Sequence, residues 1–331
     1  WSSDVCSSDL AGSMKIKLFL VSVLALFLVS GCEEKNPSIA TTVYPVQYLV
    51  ERIGGDDVTV SNITENTMIQ RAQIKSSFQD ILKDSDALFY IGGLEPYMDL
   101  YVDYIRDTGV DMVDLATKSA IYKFERYTST TIDGITAGTE GPYYEGEEFA
   151  NLDTYDADPM LWMDPVAMTS MASDIRDYLV QKYPQYKDIF DENYDALELD
   201  LARLEADFQA IPDGKMNISF VSMTPSFGNW QKSYGIKVYP ITLSKYGALP
   251  TSDQLAAMKK RIKSDHVRYI AIEQNLSEDM EKLQQQLIDE LALIPVNLNN
   301  LSSISSEDKK ASKDYLTIMY DNLKALESIA S

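Results

Sequence analysis

Histidine occurs once in 331 residues, at His266, and cysteine twice, at Cys6 and Cys32. That scarcity excludes a disulfide framework, zinc held by cysteines, and a Ser-His-Asp catalytic set, each of which needs thiols or a well-placed imidazole. His266 stands in Ser264-Asp265-His266-Val267, where a helix turns into a strand, and reads as a surface residue. The chain also lacks a Gly-x-Ser-x-Gly elbow, a phosphate-binding glycine loop and an Asp-x-Asp-x-Asp-Gly calcium loop, so no enzyme chemistry is expected. Basic residues are few, 29 against 51 acidic, for a net charge of −22. A surface of that sign repels phosphate backbones and anionic headgroups, which excludes nucleic-acid binding and polybasic docking to membranes. No apolar run approaches the roughly 20 residues of a transmembrane helix.

The longest apolar run is Leu18 to Val29, 12 residues behind the positive start Met14-Lys15-Ile16-Lys17. It ends in Leu28-Val29-Ser30-Gly31-Cys32, small residues before a cysteine. The arrangement resembles a bacterial lipoprotein signal, which implies lipid attachment at Cys32 and an extracytoplasmic protein anchored to a bacterial membrane. Residues 1–13 precede Met14 and read as a scar of cloning or sequencing, 14–31 as the signal peptide and 32–38 as a polar tether. Taking the chain from residue 32 removes Asp4, Asp9, Lys15 and Lys17 and leaves 49 acidic against 27 basic residues, still −22.

Beyond the tether, strand-like and helix-like segments alternate. Ile39 to Val43, Val58 to Ile63, Ala87 to Ile91 and Asp111 to Leu115 read as strands, with helical patterns between them, the signature of βαβ units and a parallel sheet. From 125 to 158 periodicity is lost and Gly134, Gly138, Gly141 and Gly146 mix with Glu140, Glu145, Glu147, Glu148, Asp153, Asp156 and Asp158, which predicts a mobile acidic loop. Asp164-Pro165 opens a helix. Phe190, Tyr194, Leu197, Leu201, Leu204, Phe208 and Ile211 then fall on one stripe, predicting a linking helix over 184–211. After Pro212-Asp213-Gly214 the plan repeats, with strands at 218–221, 237–239, 267–273 and 294–298 and a C-terminal helix. The expected fold class is α/β, with an N-terminal lobe over 39–183 and a C-terminal lobe over 212–331. Each lobe is a parallel sheet flanked by helices, and one long helix joins them.

Several stretches are more specific. They are Thr42-Val43-Tyr44-Pro45 with Glu51 to Asp56, Asp158-Pro159-Met160-Leu161-Trp162-Met163-Asp164-Pro165, Phe220-Val221 with Phe227-Gly228 and Ser233 to Ile236, and Val267 to Ile270 leading to Glu273. Together they resemble the zinc- and manganese-binding solute receptors of ABC importers, over residues 39–330. The resemblance implies a divalent metal, zinc or manganese, as cargo, and an ABC permease and ATPase as partners. It also implies a metal site of two or three histidines and one or two carboxylates between the lobes. The ligand positions of that family fall here on Arg71 or Ala72, on Met160, on Thr224 and on Asn299, none of which is a usual zinc ligand.

Other residues could serve a cleft. Glu273 ends a buried strand on the side where open α/β sheets bind ligands. An Arg71 guanidinium at the first ligand position would stand where a cation stood and pair with Glu273. Met68, Met160, Met163 and Met223 could supply thioethers to Cu(I) or serve as core filler. Trp162, Trp230 and Tyr44 could line an organic pocket or pack as core. The reading is a receptor with retained fold and altered or lost metal binding, and the alternative is an adhesin-like or accessory lipoprotein with a vestigial cleft.

Overall fold

Among the described residues, ten β-strands fall into two separate parallel sheets and one hairpin. The computed structural model describes residues 35–65 and 68–331, and residues 37–331 form one unit. The signal segment and Cys32 lie outside the described residues. In the first sheet β1 (Ser38–Thr41), β2 (Thr59–Asn62), β3 (Ala87–Tyr90) and β4 (Asp111–Asp114) pair in parallel in the order β2-β1-β3-β4. Helices cross between them, Tyr44–Gly54 with Pro45 in its first turn, Phe78–Lys83 and Met98–Arg106. Such crossovers are what parallel strands need.

The second sheet takes β7 (Ser219–Ser222), β8 (Lys237–Pro240), β9 (Tyr269–Ile272) and β10 (Ile294–Asn297) in the order β10-β9-β7-β8. Read from its other edge, this is the same winding as the first sheet. In both, the chain leaves the first strand toward one edge and crosses back to add the third on the other side. Each sheet therefore has a switch point, and ligands of open α/β sheets bind beyond the strand ends at such points.

Between the sheets lie Pro165–Lys182, capped by the Asp164 carboxylate on Val166 N–H, and the long helix Lys187–Phe208. The expected continuous helix over 184–211 is a 3-10 turn at Pro184–Tyr186, the long helix, and a separate turn of helix at Ala210–Asp213. All seven stripe residues are buried. They face the helices Tyr44–Gly54, Pro165–Lys182 and Tyr315–Ser328, so the connector is packed along its length rather than free. At about 1.5–3 kcal/mol per buried side chain, that stripe is a large share of what holds the halves together.

The mobile acidic loop expected at 125–158 is corrected. β5 (Arg126–Ile132) and β6 (Ile135–Gly141) form an antiparallel hairpin. Asp133 and Gly134 turn it with φ of 52° and 78°, the double positive φ of a type I′ turn that Asp-Gly favours. Most of both strands is exposed, so no apolar alternation marks them. The residues that follow dock as well. Tyr143, Tyr144 and Tyr155 are buried, the Tyr144 hydroxyl donates to Pro240 O at 2.9 Å, and Lys232 pairs with Glu140 at 2.7 Å.

Candidate functional site

At the switch point of the second sheet, Glu273 follows directly on β9 and is buried. Its Oε2 accepts from Met223 N at 2.7 Å and Thr224 N at 3.1 Å, both just beyond β7. Its Oε1 accepts from the Thr224 hydroxyl and from Asn300 Nδ2 at 3.1 Å. Burial raises its pKa, against the smaller pull of these donors. With four donors on it, this carboxylate is a brace that ties the ends of three strands, and the expected pairing with Arg71 does not occur.

Arg71 reaches elsewhere. It ends the 3-10 turn Ile69–Arg71 and sends its guanidinium across to the second half. Nη1 meets Asp279 Oδ1 at 2.8 Å and Ser277 Oγ at 3.0 Å, and Nη2 meets Asp279 Oδ2 at 2.9 Å and Gly247 O at 2.8 Å. Asp279 opens the helix Glu278–Leu291, where a carboxylate is favoured, and the guanidinium with the Ser277 hydroxyl holds its pKa well below the usual range. Arg71 takes Asp279 rather than Glu273 because Glu273 is enclosed and already saturated, whereas Asp279 stands on the rim. Gly247, with φ of 71°, admits this approach: a Cβ there would lie 2.8 Å from Arg71 Cγ and 2.9 Å from Met68 Cε.

The other ligand positions do not converge into one polar network. Met160 is fully buried, its N–H donating to Asp158 Oδ1 and its carbonyl accepting from Asn229. Ala72 is buried beside an apolar groove. Thr224 belongs to the Glu273 brace. Asn299 spends its side-chain oxygen on Leu301 N–H, 2.8 Å away, and lines a cavity with Glu273, Lys313 and Asp321. Among the described residues no group of three or more His, Cys, Asp or Glu side chains could hold a metal.

Met68, Met160, Met163 and Met223 all belong to the continuous apolar core, the filler role of methionine. Trp162 and Trp230 are core too, and each indole N–H crosses between segments, to Asn300 O at 2.8 Å and to Met163 O at 2.9 Å. Tyr44 borders a cavity of about 200 Å3 that also touches Thr42, Thr64, Ser302 and Ser303. His266 is exposed in a turn with φ of 55°.

The first sheet holds a residue that the sequence reading missed. Beyond β3, in Gly92-Gly93-Leu94-Glu95-Pro96, Glu95 is 3% exposed and neither carboxylate oxygen has a hydrogen-bond partner among the described residues. Burial pushes its pKa up to about 7, while the Thr42 hydroxyl and its own backbone N–H pull weakly downward without reaching hydrogen-bond geometry. Asp158, also buried, is pushed up to about 7, relieved only by Met160 N–H. Glu95 had one legible signal, its place just past a buried strand at the end where such sheets bind ligands.

A family model described as "ZnuA: Zinc-uptake complex component A periplasmic" matches residues 39–329. The chain belongs to this family. It is 29% identical over 320 residues to the zinc-binding lipoprotein AdcA of Streptococcus pneumoniae TIGR4, a match that covers 95% of this chain and 60% of AdcA. The chain therefore spans about three fifths of that relative. It is 23% identical to the high-affinity zinc uptake system protein ZnuA of Bacillus subtilis 168, over 87% of this chain and 86% of that one. The crystal structure of the Zn(II)-bound ZnuA-like domain of Streptococcus pneumoniae AdcA shares the fold, with a TM-score of 0.66 at 24% identity, covering 89% of this chain and 98% of that domain. Family members are solute receptors and not enzymes. Arg71, Met160, Thr224 and Asn299 present a guanidinium, a thioether, a hydroxyl and an amide, which are not the nitrogen and carboxylate donors that zinc favours.

Proposed function

We propose that this chain is the solute-binding component of an ABC importer, anchored outside the cytoplasm through Cys32, that captures its cargo between two halves and delivers it to a permease driven by an ATPase. Its cargo differs from zinc bound by the family's standard ligand set. One observation carries this reading. Two sheets of identical winding place their switch-point ends around shared cavities, as a receptor requires, while Arg71, Met160, Thr224 and Asn299 supply no zinc donor set. No helix among the described residues is long and apolar enough to cross a membrane, in keeping with a tethered receptor. The assignment is tested by capturing the full chain from detergent-solubilised membranes of its own cells. Recovery of a permease and an ATPase, with loss of membrane association in Cys32→Ser, is expected. Recovery of neither subunit would overturn the importer assignment.

A further inference from the structure

Both sheets carry a buried glutamate beyond their third strand, and only one is occupied. Glu273 holds four protein donors, whereas Glu95 holds none. An ionised carboxylate buried without a partner costs several kcal/mol, so folds retain one where something else meets it. The hydroxyls around it are also unspent. Thr42, which acts on the Glu95 carboxyl, and Tyr155, which feels its charge, both lack partners among the described residues. Gln70 Nε2 is a further unpartnered group in the same neighbourhood, acting on Tyr155.

The enclosure has an entrance. A cavity of about 320 Å3 is lined by Glu95 and Tyr155 together with Lys245 and Tyr246 of the second half. Lys245 rests over the Tyr246 ring, 5.4 Å from its centroid, rather than on Glu95. Gln70 is 2% exposed and lies next to Arg71, which is bonded to Gly247 and Asp279.

The donor chemistry restricts the occupant. All the unspent acceptors are oxygens, whereas zinc and copper favour nitrogen or sulfur. Calcium takes six to eight oxygen ligands and magnesium keeps several waters; Asp99 and Asp156 line the same cavity but are exposed, and among the described residues no group of three or more His, Cys, Asp or Glu side chains could hold a metal. Asp158, the buried acid that also acts on Tyr155, is engaged by Met160 N–H at 2.9 Å. One negative charge flanked by two hydroxyls matches one positive charge carrying three N–H donors.

We propose that Glu95, Thr42 and Tyr155 form the seat of a primary ammonium group on a small solute, with Glu95 as its counter-ion. This deepens the receptor reading and rests on it, since the seat lies where that reading places cargo.

The test is isothermal titration of the full chain with methylammonium chloride, against sodium, potassium, manganese and zinc chlorides at matched ionic strength. Saturable one-to-one binding of methylammonium is expected, weakened about tenfold or more by Glu95→Gln, which keeps the shape and removes the charge. Tyr155→Phe should weaken it less. Circular dichroism and a melting curve establish that Glu95→Gln is folded, and Thr42→Val carries the same expected loss if it is not. Absence of saturable binding, or binding unchanged in the variants, would overturn the seat while leaving the receptor reading intact. Sodium, potassium or manganese bound with the same dependence on Glu95 would overturn the ammonium assignment. Tight zinc binding indifferent to Glu95→Gln would overturn the altered-cargo reading and the seat together.

Discussion

Arg71 and Asp279, 208 positions apart in the chain, close a two-pronged ion pair in which Nη1 and Nη2 meet the two carboxylate oxygens at 2.8 and 2.9 Å. The pair fastens a turn beyond the first sheet to a helix of the second. Both side chains are partly exposed, 32% and 47%, so the pair is worth at most about 1 kcal/mol of global stability. Its effect is local. We expect Arg71→Ala to lower the melting temperature slightly, and to raise amide exchange over 68–72 and 244–247 markedly. Arg71→Lys should restore little, because an ammonium cannot reproduce the planar fork. Hydrogen exchange read by mass spectrometry checks both.

Glu273 should be far more costly to lose. Removing its carboxylate strands the N–H groups of Met223 and Thr224, the Thr224 hydroxyl and the Asn300 amide in the interior. At about 1–3 kcal/mol for each unmet buried group, Glu273→Ala should lose roughly 3 kcal/mol or more. Glu273→Gln should lose less, because its amide oxygen still accepts. Urea denaturation of the two variants decides this.

Two buried acids set a pH dependence. Burial pushes the Glu95 and Asp158 carboxyls up to about 7, well above the usual carboxylate range. A raised carboxyl pKa means that the folded state holds its proton more tightly than the unfolded chain. Stability from these groups is therefore full below the unfolded values and is lost as pH rises through the window up to about 7. We expect the melting temperature to fall across that window, with Glu95→Gln and Asp158→Asn each flattening the decline. A melting series from pH 4 to pH 8 is the check. The depressed pKa of Asp279 acts the other way: its stabilisation is present above the usual carboxylate value and lost as pH falls, and its exposure makes it the smaller effect.

The hairpin turn at Asp133-Gly134 should be sensitive and yet locally so. Gly134 has φ of 78°, and Gly134→Val would force a β-branched residue into that region at a cost of about 1–3 kcal/mol. Because both strands are mostly exposed, we expect faster exchange over 126–141 with the main unfolding transition nearly unmoved.

These elements also show what could be read in the chain. Buried strands such as Ala87–Tyr90 and capped helices such as Pro165–Lys182, opened by Asp164-Pro165, were legible because apolar periodicity and cap chemistry are local. The hairpin was not, because its strands bury almost nothing and glycines and acids suggested a loop. The Asp-Gly pair was nonetheless its signal. The four positions that the resemblance assigns could be named from the sequence, but their partners could not. Arg71 chooses Asp279 over Glu273 through saturation of Glu273 by four donors, a fact of three dimensions. Glu95 went unnoticed because nothing local marks a carboxylate that lacks partners.

The most direct measurement is zinc titration of chelator-free protein, alongside a triple variant Met160→His, Thr224→His, Asn299→Asp. Weak or no zinc binding by the native chain is expected, with affinity rising in the variant as nitrogen and carboxylate donors are introduced at the positions that the resemblance assigns. Tight one-to-one zinc binding by the native chain, with a crystal structure placing the ion among those positions, would contradict the account.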